Sequence, residues 1–273
     1  MAACGSSDKK SNLPTPPEYD LNEPEITKLP DKLNEVSGLA YYPKDSGIFA
    51  IIDEAGVLYK LLRKEKRKVE VLHWKFGKSA DYEDLVLLDS VFYVMKSKGD
   101  IVAFNFQTPD SIKSEEFDIP LQGKNEFEIM YYDDAIRKLV MICKDCEADD
   151  KSIVSSWFFD PASRTFSQGF ITLDAPSILS ELTGEEKKFK PSAAAIHPLT
   201  KELYIISSIN KALVIASRDG QVKKVYPLDP KTYKQPEGIT FSPSGDMFIS
   251  NEAAGEGLPN LLYYKYQKVA HEK

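Results

Sequence analysis

Five residues at a nearly regular spacing are the strongest candidates for chemistry in this chain of 273 residues. They follow one another at steps of 46, 45, 64 and 45 residues: Ser37, Glu83, Glu128, Ser192 and Glu237. If a repeat structure brings equivalent positions together, the three carboxylates repel one another unless they are protonated or bind a cation. Hard oxygen ligands of this kind suit Ca²⁺ better than a soft metal.

A second set of polar residues ends the next apolar run of each repeat. From the two sets we predict a metal site made of Glu54, Glu83, Glu128, Glu237 and Glu252. We predict that the ligand-binding residues around it are Ser37, Asp53, Lys96, Lys144, Ser192 and Asn251. A second interpretation stays open, in which the glutamates cap strand N–H groups and pair with Lys96 and Lys144, so that the cluster is structural.

A repeated β-hairpin must position these residues. Its clearest copy, Gln235–Glu252, has two apolar runs joined by a turn of Pro, Ser and Gly. A period of about 40–50 residues built of strands and turns is typical of a four-stranded β-propeller blade. The step of 64 residues is one blade plus an insertion near residues 174–190, whose composition is helical. We therefore predict an all-β, five-bladed β-propeller, with six blades as the alternative, whose first strands line a central channel.

The final repeat has room for only three strands, which leaves one strand to be supplied from elsewhere. Glu25–Pro30 (EITKLP) is similar to the last strand of another blade at Glu115–Pro120 (EEFDIP). We predict that this N-terminal strand completes the last blade and closes the ring, which removes exposed sheet edges. The propeller would then span residues 25–268. Residues 1–24, rich in Pro, Ser and charge, are predicted to be a flexible tether.

The order of the repeat motifs resembles a known family. NEVSGLAYYP, DYEDLVLL, FEIMYYD, PSAAAIHP and QPEGITFSPSG are together similar to the SdiA-regulated family of bacterial envelope β-propellers, over about residues 30–266. That family includes a protein described as calcium-regulated, so the resemblance implies a calcium-linked or ligand-binding envelope protein. Where the family usually has Glu-Gly, this chain has Glu83–Asp84, Glu128–Ile129 and Ser192–Ala193.

Composition narrows the possible partners and location. The net charge of −7 argues against nucleic acid as a partner. No stretch reaches the ~18 apolar residues of a membrane helix. Cys4, preceded by small residues and followed by Gly-Ser-Ser, resembles the end of a bacterial lipoprotein signal. We therefore expect lipidation at Cys4, a monomer in the cell envelope facing the periplasm or exterior, and membrane contact only through this anchor.

Few residues favour catalysis. The sequence has no G-x-S-x-G, Walker or H-E-x-x-H motif, and its three histidines are widely separated. We interpret Cys143 and Cys146 as a pair that oxidises in an oxidising compartment. The predicted function is a non-enzymatic protein that binds a cation, with Ca²⁺ favoured, or a small-molecule or protein ligand at the channel mouth. The alternatives are a calcium-dependent phosphatase- or lactonase-like hydrolase that uses the same channel, and a protein-interaction platform.

Overall fold

The chain forms five four-stranded antiparallel sheets. A computed structural model describes residues 12–109, 111–147, 149, 153–253, 255 and 257–268, without the side chain of residue 153. The first blade consists of β2 (Val36–Tyr42), β3 (Gly47–Ile52), β4 (Val57–Lys64) and β5 (Lys68–Lys75). The second blade consists of β6 (Tyr82–Leu88), β7 (Val91–Lys96), β8 (Ile101–Thr108) and β9 (Ser111–Phe117). The third blade consists of β10 (Phe127–Asp133), β11 (Lys138–Cys143), β13 (Ser156–Asp160) and β14 (Thr165–Gln168). The fourth blade consists of β16 (Ala193–Ile196), β17 (Leu203–Ser207), β18 (Ala212–Ala216) and β19 (Val222–Pro227). The fifth is β20 (Pro236–Phe241), β21 (Met247–Asn251), β22 (Asn260–Tyr264) and β1 (Glu25–Lys28).

The five blades close into a ring around their first strands. Each first strand contacts the first strand of the next blade, and β20 of the fifth blade contacts β2 of the first. Five apolar clusters fill the spaces between neighbouring blades. The prediction of a five-bladed propeller is therefore confirmed, and the alternative of six blades is wrong.

The N-terminal strand closes the ring as predicted. β1 pairs antiparallel with β22, from Glu25 opposite Tyr263 to Lys28 opposite Asn260. An ion pair of 2.8 Å between Glu25 and Arg63 joins β1 to the first blade. The last blade is thus built from both ends of the folded chain.

The segment before β1 differs from the predicted flexible tether. Tyr19 and Leu21 are only 1% and 3% exposed, in a cluster with residues of blades four and five. The Tyr19 hydroxyl donates to the Gly245 carbonyl and lies 2.7 Å from Nε2 of His197. A few apolar side chains are enough to pack an otherwise polar stretch, so the tether prediction is corrected for residues 12–24. Residues 1–11, including Cys4, lie outside the described part.

His197, which matched no catalytic pattern, has a structural role in this packing. Its Nδ1 accepts hydrogen bonds from the backbone N–H groups of Leu199 and Thr200. Burial lowers its pKa to about 4, so the ring is neutral at pH 7 and carries its proton on Nε2. It therefore donates to the Tyr19 hydroxyl, which completes a satisfied buried network.

The insertion is an excursion between blades three and four. The excursion begins with β15 (Leu173–Asp174), which is followed by α1 (Ala175–Ser180). β15 pairs with β12 (Ile153–Val154), a short strand between β11 and β13 in the chain. The Asp174 carboxylate caps α1 by accepting a hydrogen bond of 3.1 Å from the backbone N–H of Ser177. Ile178 is buried among residues of blades three and four. The excursion is thus packed onto the ring, and its described residues form no four-stranded sheet.

We expect removal of the closing strand to destabilise the whole ring. A chain that starts at Leu29 loses the β1–β22 pairing and the buried side chains of Tyr19 and Leu21. Burial of one large side chain contributes about 2 kcal/mol, so the free energy of unfolding should fall by about 4 kcal/mol or more. Urea unfolding followed by fluorescence measures the loss, and light scattering detects aggregation through the exposed β22 edge.

The matched control is a chain that starts at Asn12, which keeps every contact described above. Equal stability of the two truncated chains would contradict the role of β1 in closure.

Candidate functional site

A β-bulge places a glutamate at the start of the first strand in three blades. In β6, Tyr82 and Asp84 pair with adjacent residues of β7, so Glu83 is the extra residue. The same shift occurs around Glu128 in β10 and Glu237 in β20. A bulge leaves its extra residue unpaired in the ladder and re-aims its side chain. The regular spacing in the sequence therefore reports a repeated bulge.

These glutamates line a cavity of about 370 Å³ at the end of the ring where the first strands begin. We call it the acidic mouth, and its lining residues are Ser37, Asp53, Asp81, Glu83, Ser97, Glu126, Glu128, Lys144, Ser192, Gln235, Glu237 and Glu252. Seven of these side chains are carboxylic acids, and one, that of Lys144, is a cation. The cavity therefore concentrates acidic groups.

The structure brings most of the predicted residues together. Those at the acidic mouth are Glu83, Glu128, Glu237, Glu252, Ser37, Asp53, Lys144 and Ser192. Glu54 is exposed and does not line it.

Lys96 and Asn251 were predicted to bind ligand but do not line the acidic mouth. Both side chains bind residues outside it. Lys96 pairs with Glu116 on β9. The Asn251 amide donates to the Thr232 carbonyl at 3.1 Å and to Asn260 Oδ1 at 2.9 Å. Each is the last paired residue of its strand, whereas the following residues, Ser97 and Glu252, line the acidic mouth. Successive strand residues point to opposite faces, so a register error of one residue misplaces the side chain.

Four lining residues were missed by sequence reasoning: Asp81, Ser97, Glu126 and Gln235. Three of them precede a bulge glutamate by two residues, as in Asp81-x-Glu83. Residues two apart in an extended segment share a face, so an acid or amide at this offset was a usable signal.

The glutamates of the acidic mouth are hard to ionise in the folded protein. Burial, with the nearby Glu128 and Asp81, raises the pKa of Glu83 to about 9. Burial, with Glu128 and Glu252, raises the pKa of Glu237 to about 8. Burial also raises the pKa of Glu128, against the effect of Lys144. Mutual repulsion in a partly dry site is the condition that a bound cation relieves.

Two further carboxyl groups of the acidic mouth titrate close to neutral pH. Burial and a hydrogen bond with Glu35 raise the pKa of Asp53 to about 7. Burial, with the charges of Asp53 and Glu128, raises the pKa of Glu252 to about 7. The protonation state of this side of the cavity therefore changes in the physiological range.

Lys144 is the internal counter-ion of the acidic mouth. Its ammonium forms ion pairs with Glu128 and, at 3.3 Å, with Glu126. Burial by itself would lower the pKa of Lys144, but Glu128 and Glu126 raise it above its usual value. Of the two lysines expected to pair with the glutamates in the structural interpretation, Lys144 does so. Lys96 instead pairs with Glu116 outside the cavity.

The donor chemistry suits a hard cation, but the carboxylates are not gathered as a finished metal site. Among the described residues, the groups of three or more His, Cys, Asp or Glu ligands within 4.8 Å are Asp100–Glu116–Asp118 and Cys143–Cys146–Asp149. Neither group belongs to the glutamates of the acidic mouth. A cation at the acidic mouth would therefore use one or two carboxylates together with water, unless Glu128 turned away from Lys144.

Other polar residues at this end of the ring connect blades. The buried Asp84 accepts hydrogen bonds of 2.7 Å from the backbone N–H groups of Leu85 and of Met130 in the next blade. The Ser37 hydroxyl donates to the Tyr82 carbonyl, and that of Ser192 to the Pro236 carbonyl. The two serines therefore have a structural role across blade boundaries.

The two glycines that follow bulge positions are required by close packing. A Cβ atom on Gly38 would collide with the backbone of Asp84 and Leu85, and one on Gly238 with the carbonyl of Ser37. Blade two has Asp84 at this position and uses its carboxylate as a link between blades. The departure from Glu-Gly therefore has a local structural reason in blade two.

Comparison with known proteins identifies the family. The SdiA-regulated family matches residues 15–265, nearly the whole chain. A search of curated proteins found no match.

Solved structures agree on the fold. Glutaminyl cyclase from Myxococcus xanthus is similar with a TM-score of 0.60 and 14% identity, covering 90% of this chain and 96% of that one. Regucalcin from Agrobacterium tumefaciens, described as a calcium-binding protein, has a TM-score of 0.53 and 12% identity, covering 92% and 95%. A luciferin-regenerating enzyme has a TM-score of 0.52 and 10% identity, covering 91% and 98%. At these identities the likeness shows the fold alone.

We predict that the free energy of unfolding falls as the pH rises from about 5 to about 8. A glutamate with the ordinary pKa of 4.5 loses its proton in the unfolded chain, whereas folded Glu83 and Glu237 keep theirs up to about pH 9 and about pH 8. The folded state then binds more protons than the unfolded state, so raising the pH favours unfolding. One pKa unit corresponds to about 1.4 kcal/mol, and the loss should exceed this value in urea titrations.

Glu83→Gln with Glu237→Gln should reduce this pH dependence. Glu70→Gln, at an exposed position on β5, should leave it unchanged. The assignment is wrong if the double variant keeps the full slope.

Proposed function

The chain belongs to the SdiA-regulated family, and we propose that it is a non-enzymatic binding protein whose acidic mouth takes up a divalent cation, with Ca²⁺ preferred. The observation that carries the proposal is the convergence of seven carboxylic acids and one ammonium on a single cavity of about 370 Å³. Added positive charge would let these acids ionise together, because one ammonium offsets only one carboxylate and the raised pKa values of Glu83 and Glu237 keep them protonated at pH 7.

Charge balance favours a divalent ion. A monovalent cation that displaced Lys144 from Glu128 would replace one positive charge with another and gain little. A divalent cation adds net charge and is attracted about twice as strongly to each carboxylate. Because the donors are carboxylate and hydroxyl oxygens, a hard ion such as Ca²⁺ is preferred to a soft one.

The likeness to regucalcin agrees with this proposal but does not carry it. That protein is described as calcium-binding, and this chain shares its fold at low identity. Propeller folds host many activities, so the proposal depends on the residues of the acidic mouth.

Calcium should stabilise the folded protein. A ligand that binds only the folded state at a hundred times its Kd adds about 2.7 kcal/mol to the free energy of unfolding. We expect the melting temperature to rise with Ca²⁺ and to return to its starting value with a chelator. Changing Glu83, Glu128 and Glu237 together to Gln should remove this response and the heat of binding in calorimetry.

Asp118→Asn is the matched control, because it removes a carboxylate from the acidic group Asp100–Glu116–Asp118 outside the cavity. The control should respond to Ca²⁺ like the unchanged protein. No calcium response in the unchanged protein, or an unchanged response in the triple variant, would refute the proposal.

One observation favours a hydrolase as the second candidate. Asp53 and Glu252 have pKa values of about 7, which is where a general acid or base works best at neutral pH. Under this reading a bound cation would polarise a substrate oxygen. Turnover of phosphate esters or lactones by the calcium-loaded protein, lost in Glu252→Gln, would replace the binding role with this one.

We also propose that the protein works in the cell envelope and is anchored by lipid at Cys4. The disulfide between Cys143 and Cys146 supports an oxidising compartment. Among the described residues, no helix is long and apolar enough to cross a membrane. Cys4→Ser should therefore move the protein from the membrane fraction to the soluble fraction of cells, and an unchanged distribution would exclude the anchor.

A further inference from the structure

The loop that carries Lys144 into the acidic mouth is closed by a disulfide. Cys143 is the last residue of β11, and its sulfur is bonded to that of Cys146, three residues later. Only Lys144 and Asp145 lie between them, and both donate their backbone N–H to the Glu126 carbonyl, at 2.8 and 3.2 Å. The one lysine that lines the acidic mouth is thus held in a short loop that the disulfide closes.

The two residues inside the disulfide loop, Lys144 and Asp145, bind different partners. Lys144 binds Glu126 and Glu128 in the acidic mouth. The Asp145 carboxylate binds Lys188 at 3.1 Å and Lys190 at 3.4 Å, at the end of the excursion between blades three and four. The disulfide loop therefore joins the acidic mouth to the end of the excursion.

We propose that the Cys143–Cys146 disulfide regulates cation binding at the acidic mouth by holding Lys144 in place as a competing counter-ion. This inference rests on the proposed function. In the disulfide form, an incoming Ca²⁺ must displace an ammonium that is tethered close to Glu128 and cannot diffuse away. In the dithiol form, the loop can open, Lys144 can withdraw towards solvent, and Glu128 becomes available as a ligand.

The switching reaction is thiol–disulfide exchange with a dithiol reductant. A thiolate of the reductant attacks Sγ of Cys146, which is 7% exposed, whereas Cys143 is fully buried. The S–S bond breaks, Cys143 leaves as a thiolate and takes up a proton, and a mixed disulfide forms on Cys146. The second thiol of the reductant then displaces Cys146. The protein gains two electrons and two protons, and the reductant becomes a disulfide.

Calcium titration calorimetry tests the proposal on the full chain with Cys4→Ser, so that the reductant meets one disulfide only. We compare the oxidised protein, the same protein reduced with dithiothreitol, and Cys143→Ser with Cys146→Ser. The reduced and double-serine forms should bind Ca²⁺ about tenfold more tightly, equivalent to about 1.4 kcal/mol. Ca²⁺ prefers oxygen ligands, so the freed thiols do not create a competing site.

Lys144→Met separates the proposed route from a general loosening of the fold. Without the ammonium, the oxidised form should already bind tightly, and reduction should change its affinity little. Circular dichroism checks that every form is folded, and the reduced unchanged sequence serves if the double-serine form is not.

Each possible result distinguishes this inference from the function on which it rests. Equal affinity of the oxidised and reduced forms overturns the regulation and leaves cation binding intact. A redox effect that persists in Lys144→Met overturns the role of Lys144. Absence of Ca²⁺ binding in all forms overturns both the proposed function and its regulation.

Discussion

Closure of the ring is the constraint on which the rest of this structure depends. Each blade buries its apolar side chains against its two neighbours, so no blade has a complete core of its own. The last blade obtains its outer strand from the N-terminal segment through the β1–β22 pairing. Once the ring is closed, the five first strands converge on one axis, and equivalent residues must meet there.

That convergence turns a repeated residue into an electrostatic problem. One bulge glutamate on an isolated blade would be solvated, whereas in the closed ring burial raises the pKa values of all three, and Glu128 adds to the rise for Glu83 and Glu237. The protein relieves part of this cost with Lys144 and part by keeping carboxyl groups protonated. Such a site lowers stability locally, which is common where function requires a strained arrangement. Asp84 shows a different solution, since its buried carboxylate accepts two backbone hydrogen bonds and links two blades.

The loops at the acidic mouth decide what the shared scaffold can do here. Lys144 and Asp145 lie in a loop, and Asp145 forms ion pairs with the end of the excursion. Solved structures of similar fold include proteins described as a cyclase, a calcium-binding protein and a luciferin-regenerating enzyme. The ring supplies a rigid frame, and in the proposed function the residues at its mouth supply the chemistry.

Periodicity determined the class of fold, the number of blades and the three glutamates, and the missing fourth strand of the last repeat indicated the closing strand. Local patterns specify these features, because each strand and turn follows from its own residues and the repeat multiplies them. The side-chain direction at the ends of the second strands was decided by tertiary structure. Lys96 and Ser97 are adjacent in sequence, yet only Ser97 faces the acidic mouth, since the ladder register sets the face. Packing also decided that Tyr19 is buried, because its partners, His197 and Gly245, lie far away along the chain. The raised pKa values likewise arise only in the closed ring, where burial and neighbouring charge act together.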